Sequence, residues 1–258
     1  MWTVLGPSLA FRQSYRGNSL AKRVPDTVCY HPFEVNYPSH VAPGLALIFD
    51  LDGVIINSNS VHAIAWRKYL AQFGRDSAEI ERTMFGKRND DIVREVFGDQ
   101  LTEAEVAAHG AAKEAIYREL MRPQLEDNLV PGVRSFLQRH DGLPMAIASN
   151  AERPNVDFVL DSSGLVAHFR VAFDGAQVAR PKPAPDIYLM AADSLETSPA
   201  NCIVFEDSMP GVEAALAAGM RVVGLQTTHD ELSGVDIGVN DYRDPRLEPW
   251  LRAQSVHS

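Results

Sequence analysis

A chain of 258 residues, 45% hydrophobic and 22% charged, has the balance of a globular protein that buries a sizeable core in one large or two smaller domains. A formal net charge of −10 speaks against a nucleic-acid partner, whose phosphates demand a basic face, and no apolar run approaches the ~18 residues of a membrane span. Cys29 and Cys202 form neither a metal-ligand spacing nor a disulfide framework, which points to a reducing compartment.

Residues 1–44 carry no clear periodicity. Arg12, Arg16, Lys22 and Arg23 precede the first acid, Asp26, and Pro25, Pro32, Pro38 and Pro43 punctuate the second half of the stretch. An acid-poor, Arg- and Ser-containing start is one composition of an organelle transit peptide. The favoured reading is a disordered extension, or a start codon placed too far upstream, ahead of a cytoplasmic protein, although Phe33, Val35 and Tyr37 alternate like a short strand.

Leu45 to Phe49 is a continuous apolar run, the pattern of a strand buried on both faces of a parallel sheet. It ends in Asp50 and Asp52, followed by Gly53. Side chains at i and i+2 of an extended segment point the same way, so the two carboxylates can converge at the carboxyl end of the strand. Their repulsion asks for a cation, a shared proton, or both. Taken alone, the same residues are as well explained by a solvated Asp-Leu-Asp-Gly turn.

Helical patterns come next. Ser60 to Gly74 carries Val61, Ile64, Ala65 and Tyr69 at helical spacing, with Gly74 as the stop. Ser77 opens a short helix to Met84, Phe85 to Asn89 is a loop, and Asn89 or Asp90 caps a helix ending at Gly98. Thr102 and Glu105 spell a capping box for a helix to about Met121. Residues 58–127 are thus all helical. From Leu129 the pattern alternates. Helices are expected over 132–139, 154–163, 185–195 and 210–218, and strands over 144–150, 170–173, 202–205 and 221–225. This is an α/β protein with a doubly wound parallel, Rossmann-like sheet, built from 45–57 and 128–258 and split by a helical insertion.

The remaining strand ends carry polar residues: Ser149-Asn150 after one, Glu206-Asp207 after another, and Lys182 in a proline-rich loop between them. In a parallel sheet these ends share one edge. Such a set supports phosphoryl transfer, with a carboxylate as nucleophile, a divalent ion to offset repulsion, a lysine and a hydroxyl for phosphoryl oxygens, and a second carboxyl to donate the proton.

Phe49-Asp50-Leu51-Asp52-Gly53-Val54, Ile147-Ala148-Ser149-Asn150, Lys182-Pro183-Ala184-Pro185-Asp186 and Phe205-Glu206-Asp207-Ser208 resemble, in order and separation, the motifs of the haloacid dehalogenase superfamily over about residues 45–230. The resemblance implies a Mg²⁺-dependent enzyme. Asp50 would be nucleophile and metal ligand. Asp52 would be the acid–base and lend its backbone carbonyl to the metal. Ser149, Asn150 and Lys182 would hold phosphate, and Asp207 the metal, with Glu206 either a further ligand or a support behind it. The 58–127 block resembles the helical cap of the β-phosphoglucomutase-like branch.

In that branch a histidine at the place of His62 bears on acid–base positioning, and cap cations such as Lys87 and Arg88 reach a second phosphate. Trp66 reads as cap packing and Arg153 as a solvent-facing charge. The dipeptides His140-Asp141 and His229-Asp230 lack the companion histidines of a His-Asp metal site. Asn57-Ser58 stands where many relatives carry Asp-Ser, which affects the entry to the cap rather than the chemistry. The expected activity is a phosphatase of a small phosphorylated metabolite, a sugar phosphate first. A β-phosphoglucomutase-type phosphomutase is the alternative, and a non-catalytic module or a dehalogenase less so. The expected partner is that small substrate, with no nucleic acid or membrane, and the expected state a monomer or weak homo-oligomer.

Overall fold

The computed structural model describes residues 44–83 and 87–254. The readings of residues 1–43, including Cys29, and of Met84, Phe85 and Gly86 lie outside them.

β1 (Ala46–Phe49) is followed by four helices, α1 (Asn59–Ala71), α2 (Ala78–Thr83), α3 (Asn89–Phe97) and α4 (Glu103–Met121). A short α5 (Leu125–Asn128) and α6 (Val133–Arg139) lead to β2 (Met145–Ala148), α7 (Arg153–Ser163) and β3 (Val171–Phe173). The chain ends α8 (Asp186–Ser194), β4 (Cys202–Glu206), α9 (Met209–Ala217), β5 (Arg221–Leu225), β6 (Ile237–Val239) and α10 (Leu247–Gln254). The strands form one six-stranded sheet in the order β3-β2-β1-β4-β5-β6, parallel throughout. β6 and α10 were not anticipated from the sequence.

Burial follows the pleat. Leu47 and Phe49 of β1 enter one apolar cluster with Phe136 and Phe205, while Ala46 and Ile48 enter a second with Ile187 and Val212. All four residues of β1 are buried, as a strand covered by helices on both faces requires. Phe49 stacks on Phe205 with centroids 4.6 Å apart, which locks the two strands whose ends carry acids.

The helical block has an apolar cluster of its own, built from Trp66, Tyr69, Leu70, Ile80, Ile92, Val93 and Val106. Trp66 is buried there, in keeping with cap packing. Its entry and exit run side by side. Ile56 bridges Leu129 in antiparallel sense, and Asn57 N–H donates to the Asn128 carbonyl. The capping box at Thr102 and Glu105 is formed. Asn89 does not cap α3. Arg88 holds that position, and the Asn89 amide turns inward to carboxylates.

Candidate active site

β1 runs out into Asp50, β2 into Ser149 and β4 into Glu206 and Asp207, while the loop before α8 brings Lys182. Strand order reverses at β1, where open α/β sheets leave a crevice beyond the carboxyl ends. A cavity of about 350 Å³ opens there, with Asp50, Asp52, Ser149, Asn150, Lys182 and Asp207 at its floor.

Lys182 Nζ donates to Asp50 Oδ1 at 2.6 Å and to Glu206 Oε1 at 2.7 Å, all three side chains being buried. Burial, opposed by the Lys182 ammonium and reinforced by the charges of Glu206 and Asp52, pushes the Asp50 carboxyl up to about 7. Burial, then the charges of Glu206 and Asp50, pushes Asp207 well above the carboxylate range, although the Thr228 hydroxyl donates to it. Asp50 and Asp207 are thus the carboxylates that could hold a hard divalent ion, two oxygen donors in which negative charge is under-compensated.

Glu206 differs. Its Oε1 accepts from Lys182 and from the Tyr188 hydroxyl at 2.7 Å, and its Oε2 from Asp207 N–H, Ser208 N–H and Ser208 Oγ. With no exposed surface and both oxygens engaged, it stands behind the site and holds Lys182 and the β4–α9 turn. Of the two places expected for it, metal ligand or support behind the ligands, the hydrogen bonds favour the second. Asn150 also acts on the loop: its Oδ1 accepts from Lys182 N–H at 3.3 Å, while its residue still lines the cavity. Ser149 is buried, its Oγ accepting from Ala151 N–H.

Asp52 departs from the convergence expected of i and i+2. The chain turns at Leu51, whose carbonyl accepts from Val54, Ile55 and Ile56 N–H. Asp52 Oδ1 consequently accepts from Ser58 Oγ at 2.6 Å and lies 3.5 Å from His62 Nε2. Burial works against its charge, but His62 and Ser58 outweigh burial and hold the carboxyl below its usual range.

The model of the haloacid dehalogenase-like hydrolases matches residues 45–219, which span every one of these side chains but Thr228. The chain belongs to that family. It is 37% identical over 214 residues to Protein CbbY of Rhodobacter capsulatus, covering 78% of this chain and 93% of the relative. It is 31% identical to the fructose-1-phosphate phosphatase YqaB of Escherichia coli over 70% of this chain and 95% of that one. Among solved structures it superposes on a β-phosphoglucomutase from Clostridium difficile with a TM-score of 0.71 and 25% identity, over 82% of this chain and 96% of the other. Its relatives thus include phosphatases and phosphomutases.

In this hydrolase the cap delivers His62 to the floor. Lys113 Nζ lies 2.8 Å from His62 Nδ1, and His62 Nε2 lies 3.5 Å from Asp52 Oδ1. Tyr117 stacks on the imidazole with centroids 3.8 Å apart. Lys113 also donates to Glu114 Oε1, and Asn155 of α7 donates to Glu114 Oε2 at 2.7 Å, joining cap to sheet domain. Lys113 and Glu114 were missed from sequence. The available signal was a charged pair on the stripe Val106, Gly110, Tyr117, Met121, where helical spacing demands burial. Lys87 and Arg88 both line the cavity, Lys87 2.8 Å from Glu95 and Arg88 3.5 Å from Asp90. Arg153 lines it too, yet its guanidinium pairs with Asp157. His140 and Asp141 serve contacts to Glu248 and His168. Among the described residues no three His, Cys, Asp or Glu side chains form a preformed metal cage, and no helix is long and apolar enough to cross a membrane.

Proposed function

We propose that this hydrolase is a Mg²⁺-dependent phosphatase of a small phosphorylated metabolite, a sugar phosphate, acting through an aspartyl-phosphate on Asp50. The observation that carries the reading is the separation of two carboxylates in one turn. Asp50 faces the buried Lys182 ammonium, and Asp52 faces Ser58 and His62. The position of each acid, not its resting proton affinity, assigns the roles: the buried ammonium orients Asp50 for attack, and Ser58 and the cap histidine hold Asp52 for proton exchange with the ester oxygen. The fructose-1-phosphate phosphatase among the relatives supports a sugar phosphate as substrate.

The Asp50 oxygen not engaged by Lys182 attacks phosphorus while the ester oxygen departs with a proton from Asp52. Lys182 neutralises the transferring oxygens and Ser149 offers its hydroxyl. Asp52 then takes a proton from water as that water hydrolyses the acyl phosphate, regenerating the Asp50 carboxylate. Asp52 rests ionised, and the dianionic phosphate entering the cavity favours its protonated form for the first half. The donor set fits Mg²⁺, which takes one or two carboxylates with phosphate oxygen and water. Held by Asp50, Asp207 and the Asp52 backbone carbonyl, Mg²⁺ would shield the anionic nucleophile from the anionic substrate.

The second reading, a phosphomutase of the β-phosphoglucomutase type, draws on the Lys113–His62–Asp52 line, which ties the cap to the acid–base group. The test incubates pure protein with Mg²⁺ and β-glucose 1-phosphate, then a panel of sugar monophosphates, following both free phosphate and isomerised sugar. Free phosphate is expected, abolished in Asp50→Asn. Glucose 6-phosphate formed without free phosphate would make the protein a mutase.

A further inference from the structure

The cavity extends from the Asp50 floor to a distal half between α3, α4 and the start of α7. Its described cations are already matched. Lys113 is buried beside Glu114 at 2.7 Å, Lys87 lies 2.8 Å from Glu95, Arg153 2.7 Å from Asp157, and Arg88 3.5 Å from Asp90. Glu152, on the same wall, has no described cation within ion-pair distance. Its Oε1 accepts from the Asn89 amide at 2.8 Å, and its Oε2 accepts from no described donor. The carboxylate is wedged over α4 at Gly110, where a Cβ would come within 3.2 Å of Oε1, so its place is built by the packing.

We infer that the distal half is a subsite for an uncharged, hydroxyl-bearing end, with Glu152 accepting a substrate hydroxyl, and that it excludes a second phosphate. A carboxylate with an open oxygen is a strong acceptor for sugar hydroxyls. The same group repels a phosphate dianion, and the paired cations beside it have no uncompensated charge to offset that. The substrate is therefore a sugar monophosphate, and the bisphosphate that a mutase of the β-phosphoglucomutase type must hold is a poor ligand. This inference rests on the phosphatase reading and names its substrate class.

The experiment compares kcat/KM for fructose 1-phosphate and fructose 1,6-bisphosphate in wild type, Glu152→Gln and Glu152→Lys. Wild type is expected to favour the monophosphate by about ten-fold or more. That ratio should shrink in Glu152→Gln and fall to one or below in Glu152→Lys. If the lysine variant does not fold, the glutamine variant decides by the same ratio. Equal use of both sugars by wild type, or a ratio that neither variant moves, overturns the subsite. Turnover of p-nitrophenyl phosphate without discrimination between the sugars sinks this inference alone. Failure to release phosphate from any ester sinks the phosphatase reading instead, and calorimetric binding of the same two sugars then decides the subsite.

Discussion

Gly53 shows how narrowly single residues constrain this site. It sits at φ +73°, and a Cβ built there overlaps the Asp207 carboxylate. Gly74 has a similar φ of +65° with nothing within 4 Å of its would-be Cβ. The pair separates backbone strain from site geometry. Gly74→Ala should cost about 1 kcal/mol of stability and leave phosphate release intact. Gly53→Ala should lose about two orders of magnitude in kcat, because an ångström of displacement at Asp207 removes the productive alignment. Circular dichroism and phosphate release on both variants check this. Equal activity losses would show that strain alone is at work. Asp50, Ser149 and Lys182 were legible at this scale because each lies at a strand end or beside a proline, where chain position fixes the side chain's direction. The work of Glu206, Tyr188 and Thr228 was not, since it consists of contacts between residues far apart in sequence.

At the scale of elements, α4 is the cap's working helix. It carries Gly110, Lys113, Glu114 and Tyr117 on its buried stripe, and its register is set at one end by the Thr102–Glu105 box. Thr102→Ala removes the acceptor for Glu105 N–H. It should lower stability by about 1 kcal/mol, read as a shift in the urea midpoint. A change within experimental error would mean that tertiary packing alone holds the helix end. The box was readable because it is local. β6 escaped notice because three residues between polar flanks carry no period of their own. Their strand exists through pairing with β5, assisted by the Asp236 carboxylate accepting from Val222 N–H. α10 escaped because Pro249 interrupts an otherwise amphipathic run, although proline is tolerated in a first turn.

At the scale of the molecule, cap and sheet domain meet through a buried polar seam centred on Glu114. Burial opposes its charge, but Lys113 and His62, with hydrogen bonds from Lys113 and Asn155, bring the carboxyl down to about 2. A carboxyl depressed on folding stabilises the native state above its unfolded value of 4.5, and that stability is lost as pH falls toward 2. The shift corresponds to roughly 3 kcal/mol. Urea unfolding across pH 2 to 5 should therefore show a steep acid limb in wild type that flattens in Glu114→Gln, together with a lower midpoint at pH 7. Parallel acid limbs in the two proteins would remove Glu114 from this role.

By itself the sequence determined the parallel α/β frame, the helical insertion and the edge at which the motif residues gather. These rest on apolar periodicity, caps and strand-end position, which are properties of neighbouring residues. Only the tertiary structure decided how the acids divide their work. Asp50 went to Lys182 and Asp52 to the cap histidine, because the chain bends at Leu51 instead of remaining extended. Glu206 was withdrawn from the cavity by donors on α8 and the β4–α9 turn. The cations of the cap were matched with acids that helical geometry brought beside them. A carboxylate's role depends on which donors surround it after folding, and those donors come from elements far apart in the sequence.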